Sequence, residues 1–315
     1  MNIKGKTIAA ACFVLLLIAA LTACGNQTES KDSSSKSKSE ETITYKAENG
    51  TVKVPKHPKR VVVMADDYFG YFKTLGLNVV GAPDRVFKNP YFKGKTDGVT
   101  NIGEGNSAEK VIQLKPDLIV VWTTQGADIE KLEKIAPTVA LKYDSLNSTE
   151  RLKDFAKMTG TEDQAEKWLA EWDKKVAAAK SKVQKAVGNK TVSIMQTNGK
   201  EIFVFGDQFG RGGSIVYQDL GLKATKLTKE KAIDEGPGYT SISLEKLPDF
   251  AGDYIFIGPW ESSGDDSAVL NTSIWKNLGA VKNQHVYKID PVGFYFSDPI
   301  SLEGQLEFIT ENLTK

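Results

Sequence analysis

Histidine, arginine and cysteine are all scarce in this chain of 315 residues, and each scarcity removes a class of chemistry. Only His57 and His285 are present. A protein that binds a transition metal directly needs several imidazoles or carboxylates converging on one ion, so direct zinc or manganese binding is not expected. The histidines suggest no nucleophile–base pair and there is no Gly-x-Ser-x-Gly elbow, so hydrolysis lacks its usual machinery. One carboxylate pair, Asp66-Asp67, would suit an extracellular hydrolase acting on glycosides or phosphates. Adjacent aspartates at a strand end more often supply a helix N-cap and a solvated neighbour. Arginine is confined to Arg60, Arg85, Arg151 and Arg211, and the net charge of +1 argues against a nucleic-acid partner.

Cysteine occurs only at Cys12 and Cys24. Lys4 and Lys6 give the N-terminus a positive start, and the apolar run Ile8 to Leu21 that follows is shorter than the roughly 20 residues of a membrane-spanning helix. It ends in Leu21-Thr22-Ala23-Cys24, which resembles the lipobox of bacterial lipoproteins, where the cysteine thiol is acylated and becomes the new N-terminus. Residues 1–23 are therefore read as a lipoprotein signal peptide and Cys24 as the lipidation site. Removal of Cys12 leaves one thiol, so no internal disulfide is expected. Asn26 to about Glu41 is rich in Ser, Lys and Glu and too poor in apolar residues to fold, so 24–45 is predicted to be a flexible tether. The expected location is the extracellular face of a cell membrane.

The remaining roughly 270 residues suit two lobes better than one, because single cores stop growing at roughly 250–300 residues. Short apolar runs at Val61 to Val63, Val79-Val80, Leu118 to Val121 and Val139 to Leu141 alternate with helical patterns such as Tyr71-Phe72-Leu75 and Val111-Ile112-Leu114. Such alternation predicts an α/β lobe, 46–160, with a largely parallel sheet. A long helical pattern follows from Glu162 to Val187, with Thr161 as candidate N-cap, Gln164 as its capping-box partner and Gly188 as the stop. At about 1.5 Å per residue it spans about 39 Å, a length suited to an interlobe strut over 161–188. Strand patterns resume at Val192 to Met195, Ile202 to Phe205, Tyr254 to Ile257 and Val286 to Ile289, with a final helix from about Ser301 to Leu313, giving a second lobe over 189–315.

The lobes echo each other. Glu109-Lys110-Val111, Pro116-Asp117, the run Leu118 to Val121 and Trp122 recur as Glu245-Lys246-Leu247, Gly252-Asp253, Tyr254 to Ile257 and Trp260.

Parallel sheets bind ligands beyond the carboxyl ends of their strands. Trp122 and Trp260 each follow such a strand, and Gln125 extends the first of these walls. In Phe203-Val204-Phe205-Gly206-Asp207-Gln208-Phe209-Gly210-Arg211-Gly212-Gly213, glycines let the backbone approach a ligand closely. Arg211 offers a planar fork of donors suited to oxygen ligands, with Phe203 and Phe209 as aromatic walls. The segment matches neither a phosphate loop nor a dinucleotide fingerprint and also reads as a turn opening a helix from Ser214 to Leu220. In Phe294-Tyr295-Phe296 the middle ring is the site candidate and the outer two are packing residues. Tyr68 and Tyr239 complete the set, Tyr239 equally readable as a loop filler.

The lipobox, the tether, the Val61-Val62-Val63 opening, the Glu109…Pro116-Asp117 block, the strut helix and the Phe-Gly-Arg-Gly-Gly segment together resemble iron-siderophore substrate-binding lipoproteins, most nearly the ferrichrome (ferric hydroxamate) binding proteins of bacilli. The resemblance implies the class III solute-binding fold: two Rossmann-like lobes with mainly parallel sheets, joined by one long α-helix around a shallow cleft. It implies a monomer with no cofactor and no enzymatic activity, whose cargo is an Fe(III)-hydroxamate siderophore with the iron held by the siderophore. Its downstream partners are an ABC permease and ATPase. Arg211 matches the position that meets the hydroxamate oxygens, Phe203, Phe209 and Tyr295 match cleft aromatics, and Glu109 and Glu245 match the glutamates that dock on the permease. Some relatives have Tyr and Trp where this chain has Phe203 and Phe209, so any hydrogen bond from a hydroxyl at Phe203 is missing here. A catecholate siderophore, a carboxylate siderophore or a corrinoid would be alternative cargoes for the same scaffold. A ferric tris-catecholate carries about three negative charges and calls for several cations, whereas one arginine suffices for a nearly neutral tris-hydroxamate.

Overall fold

The structure, a computed structural model, describes residues 41–142, 146–261 and 264–315. The signal segment, Cys24 and most of the expected tether lie outside the described residues. The predicted tether boundary at residue 45 is too late, because a strand already begins at Thr42. Thr42–Ala47 (β1) pairs antiparallel with Gly50–Pro55 (β2), and alternate side chains of β1 turn inward with the period of two that a half-covered strand shows. Tyr45 anchors this hairpin by donating its hydroxyl to Asp154 Oδ2 at 2.8 Å.

The first large sheet comprises β3 (Val61–Val63), β4 (Val79–Ala82), β5 (Thr100–Asn101), β6 (Leu118–Trp122) and β7 (Thr138–Leu141), in the order β5-β4-β3-β6-β7. Every pairing in it is parallel. Helices and turns cover both faces, which is why β3 and β4 are apolar without alternation and buried throughout. The second sheet comprises β8 (Val192–Asn198), β9 (Glu201–Phe205), β10 (Tyr239–Ile242), β11 (Tyr254–Pro259) and β12 (Val286–Lys288), in the order β10-β9-β8-β11-β12. Here β8, β11 and β12 are parallel, β9 runs antiparallel to β8 through a tight hairpin closed at Gly199, and β10 pairs antiparallel with β9. This is the expected α/β class with mainly parallel sheets.

The strut helix runs from Glu162 to Val187 and stops at Gly188. Trp168 and Trp172 are buried on its inner face and stack on each other at 5.3 Å. The predicted capping box at Thr161 is absent. Its side chain makes no cap bond and pairs instead with the Thr159 hydroxyl at 2.9 Å. A capping box does form one helix earlier, where Asn147 accepts from Thr149 and Glu150 N–H and Glu150 accepts from Asn147 N–H.

The final helix starts at Pro299 rather than Ser301, because Asp298 caps it by accepting from the N–H groups of Ile300 and Ser301. Although it follows the second sheet in sequence, it packs against the first-lobe helix Phe69–Thr74 and against the strut. Gly70 makes that approach possible, since a Cβ there would sit 1.7 Å from Asp298 Oδ1. One apolar core consequently runs from Val61 and Phe155 through Trp172 to Phe205 and Phe294. No helix among the described residues is long and apolar enough to cross a membrane.

The internal echo is structural as well. Asp117 accepts from the N–H groups of Lys59 and Arg60, just before β3. Asp253 accepts from the N–H and hydroxyl of Thr191, just before β8. Each aspartate thus ties the turn before one central strand to the start of the other, at matching places in the two sheets.

Candidate ligand-binding site

Arg211 is the centre of the candidate site. Gly210, Arg211 and Gly212 have φ of 69°, 58° and 81°, three successive left-handed residues, of which the arginine adopts that region only at a cost. The loop folds back so tightly that a Cβ on Gly213 would lie 1.9 Å from the Gly206 carbonyl oxygen. This contortion turns the Arg211 side chain inward, where the residue is only 5% exposed. Its Nε donates to Gln196 Oε1 at 2.8 Å, and one terminal nitrogen reaches the Tyr295 carbonyl oxygen at 3.4 Å. Gln196 is itself fully buried on β8 and donates to the Pro259 carbonyl oxygen at 3.2 Å. Beyond the loop the expected helix forms over Ser214–Asp219, but as a widened π turn.

Aromatic rings frame the guanidinium. Its carbon lies 4.6 Å from the Tyr295 ring centroid, 5.3 Å from Trp260 and 5.4 Å from Phe205. Phe203 packs on Trp260 at 4.5 Å, and Phe209 on Tyr239 at 4.7 Å. Arg211, Phe203, Phe209, Tyr239, Trp260 and Tyr295 are therefore brought together. Phe294 and Phe296 are buried packing residues, as read from the sequence. Tyr239 is no loop filler, because it opens β10 in register with Phe205. Strand pairing continues through Gly258 to Pro259, and Trp260 N–H donates to the Thr197 carbonyl oxygen, so Trp260 is held at the end of the sheet.

The first-lobe candidates form a separate group. Tyr68 is almost wholly buried and meets Trp122 edge-on at 5.7 Å and Phe155 at 4.9 Å. The Gln125 amide nitrogen is committed to the carbonyl oxygens of Met64 and Glu104, so the side chain pins its own loop. Between the two groups stand residues that sequence reasoning passed over or misjudged. Arg85 lies 4.4 Å from the Tyr295 ring centroid and pairs with Asp66 at 3.5 Å. Asp66 and Asp67 are not a cap with a solvated neighbour. They sit inside a short 3-10 helix whose cap position is Ala65. Burial first, and then Asp66 beside it, push the Asp67 carboxyl well above the usual carboxylate range, against the pull of Arg211 and Arg85. Burial also raises Asp66, with Arg85 opposing. The signals for the missed residues were present: Arg85 is one of four arginines, and Gln196 is a polar residue inside an apolar strand.

Glu109 and Glu245 lie apart from this cluster, exposed in the first turns of two short helices. Ser107 donates to Glu109 Oε2 at 3.1 Å, and Ser243 bonds Glu245 in the same relation, two residues upstream. Glu109's own backbone N–H, then Ser107, hold its carboxyl below the usual range; for Glu245 the serine contributes most. Among the described residues, no group of three or more His, Cys, Asp or Glu side chains converges on a metal position.

Residues 61–292, spanning both sheets and the strut, match the family model described as periplasmic binding protein. The chain belongs to that family. It is 78% identical to the iron(3+)-hydroxamate-binding protein FhuD of Bacillus subtilis, over 98% of each chain. It is 40% identical to the iron(3+)-hydroxamate-binding protein YxeB of the same organism, over 98% of this chain and 97% of the other. Among solved structures, it superposes with a TM-score of 0.84 on a FhuD fold-family periplasmic binding protein component of a ferrichrome ABC transporter from Bacillus subtilis. That match is 80% identical and covers 86% of this chain and 100% of the other.

Proposed function

We propose that this chain captures ferric hydroxamate siderophores of the ferrichrome kind and delivers them to an ABC importer for iron uptake. The observation that carries the reading is Arg211, a buried guanidinium fixed by Gln196 and surrounded by Tyr295, Trp260 and Phe205. The iron of such a cargo is already coordinated by hydroxamate oxygens, so the protein has to recognise a compact, nearly neutral object edged with oxygen atoms. A planar cation supplies donors to those oxygens, and the rings supply apolar contact to the organic frame. The high identity to FhuD over nearly the whole chain supports the same reading.

Arg211, Phe209, Phe203, Trp260, Tyr295 and Tyr239 form the second-lobe wall of the proposed site; Trp122, Tyr68 and Gln125 form the first-lobe wall. Glu109 and Glu245, matched in sequence and in their serine partners, are the proposed contacts to basic residues of a permease that works with an ATPase. Cys24 is the proposed lipid anchor, holding a monomer on the extracellular face of the membrane.

A tryptophan-fluorescence titration of the full chain in detergent tests the cargo. Saturable quenching at submicromolar concentration by ferrichrome and a linear ferric hydroxamate, and not by a ferric catecholate or a corrinoid, is the expected result. Quenching only by the catecholate or corrinoid replaces the cargo while keeping the transport role, and no response to any of the four removes the binding function.

A further inference from the structure

The proposed site holds a second arginine, and its charge does not suit a nearly neutral cargo. Arg85 stands on the short 3-10 helix Asp84–Lys88, which follows β4 in the first lobe. The Tyr295 ring lies 4.4 Å from its guanidinium carbon and 4.6 Å from that of Arg211, so cations from both lobes border one ring of the proposed site. Two guanidiniums so placed would draw an anion, because each presents a fork of donors with a permanent charge. Asp66 answers Arg85 directly. Its Oδ2 lies 3.5 Å from Arg85 Nε, while Oδ1 accepts from the Asp67 N–H at 3.0 Å. Both oxygens are engaged, which keeps the carboxylate turned to the arginine. Burial raises the Asp66 carboxyl, and Arg85 pulls it back toward ionisation. The Arg85 side chain is 47% exposed and that of Asp66 20%, so the cation is open to solvent and the anion that offsets it is sheltered. Lys88, the other cation of the same short helix, pairs with Asp84. Each positive charge on that helix therefore has a carboxylate of its own.

We infer that Asp66 sets the charge preference of the site: by offsetting Arg85 it keeps the first-lobe wall from attracting anionic ferric siderophores, and so favours cargo that is nearly neutral at its metal. The inference rests on the proposed hydroxamate reading and deepens it. Asp66 acts through Arg85 and needs no contact with the cargo, so it is a positioning residue. Specificity is a difference of affinities, and withholding an attraction from the wrong ligand raises it as surely as adding a contact to the right one. With Asp66 uncharged, Arg85 becomes a free cation beside Tyr295, and the wall changes from neutral to positive. A neutral complex gains little from that change, whereas an anionic one gains an attraction it lacked.

The test uses the full chain in detergent and two ligands. One is ferrichrome, neutral at its metal; the other is a ferric complex of a citrate bearing two hydroxamate arms, anionic there because carboxylate and alkoxide replace the third hydroxamate. The wild type should bind ferrichrome the more tightly. In Asp66→Asn, which keeps an oxygen acceptor for the Asp67 N–H, the ratio of the two dissociation constants should narrow roughly threefold to tenfold, almost wholly through tighter binding of the anionic complex. Raised salt should undo that narrowing. Asp66→Asn/Arg85→Gln should return the ratio to about the wild-type value, and Arg85→Gln alone should leave it equal or larger. Asp66→Ala removes the same charge with no amide to misplace, and should narrow the ratio as Asp66→Asn does. An unchanged ratio in both Asp66 variants, or a narrowing that persists without Arg85, overturns the role of Asp66 while leaving the hydroxamate reading intact. A flat wild-type titration with ferrichrome overturns the hydroxamate reading and this inference with it.

Discussion

The two sheets are built alike at one level and differently at another. Each has its central strand tied down by an aspartate, Asp117 or Asp253, and each has a serine two residues before an exposed glutamate, Glu109 or Glu245. At the carboxyl ends of the strands the likeness stops. The first sheet places Tyr68, Trp122 and Gln125 there, with their polar groups turned largely into the protein itself. The second replaces parallel edge strands with the antiparallel pair β9 and β10 and builds the left-handed Gly-Arg-Gly loop beyond them. A repeated unit thus keeps its framework and its outward-facing glutamates while one copy specialises in holding a cation among rings. The division fits the proposed roles, a permease met twice in the same way and a cargo met by two unlike walls.

Four experiments would break or sharpen this comparison. Glu109→Ala combined with Glu245→Ala should abolish siderophore uptake in cells while ligand binding by the purified chain persists. Normal uptake by that double variant would remove the two glutamates from docking. In the cleft, Arg211→Ala should weaken ferric hydroxamate binding more than tenfold, because charge-assisted bonds are lost, whereas Gln125→Ala should change it less than about threefold. Comparable losses for the two would mean that the walls contribute equally. In the framework, Asp117→Ala and Asp253→Ala should each lower stability by about 1 kcal/mol in denaturant unfolding, since each leaves backbone donors at a strand start to water. A large inequality between them would show the repeat to be only formal.

The smallest effect concerns Asp298, which belongs to neither copy alone. Burial raises its carboxyl to about 6 from an ordinary 3.8, against the bonds from Ser301 and Ile300. The folded chain therefore takes up this proton before the unfolded chain does. Its contribution favours folding below about pH 4 and is lost as pH rises through about 6. Asp298→Asn keeps an oxygen acceptor for the helix cap and removes the titration, so its unfolding midpoint should vary less than that of the wild type between those pH values. Parallel pH profiles would exclude Asp298 as the source.

The elements that were legible in the sequence are those whose signal is local. The valine runs of β3 and β6, the 26-residue strut and its glycine stop stand where periodicity put them. Phe294 and Phe296 are buried on either side of Tyr295 as the sequence reading expected, although the segment forms a hydrogen-bonded turn and not a strand. What escaped depends on which partners the fold delivers, whether near or far along the chain. Gln196 matters because Arg211 arrives beside it, and Arg85 because Tyr295 does, more than 200 residues later. Thr161 looks like an N-cap until Thr159 takes its hydroxyl. The Asp66-Asp67 pair looks solvated until the second lobe brings Arg211 within range of its charges.

The last helix carries a consequence for how the chain comes into being. Residues 297–313 complete packing that begins at Phe69–Thr74: Ser301 Oγ accepts from Asn89, the Ser297 carbonyl oxygen accepts from Tyr71, and Asp298 fills the space beside Gly70. A ribosome-bound chain lacking only its final twenty or so residues already has all of both sheets, yet the first of them has no lid on its helix layer. Finished packing has to wait for release of the C-terminus.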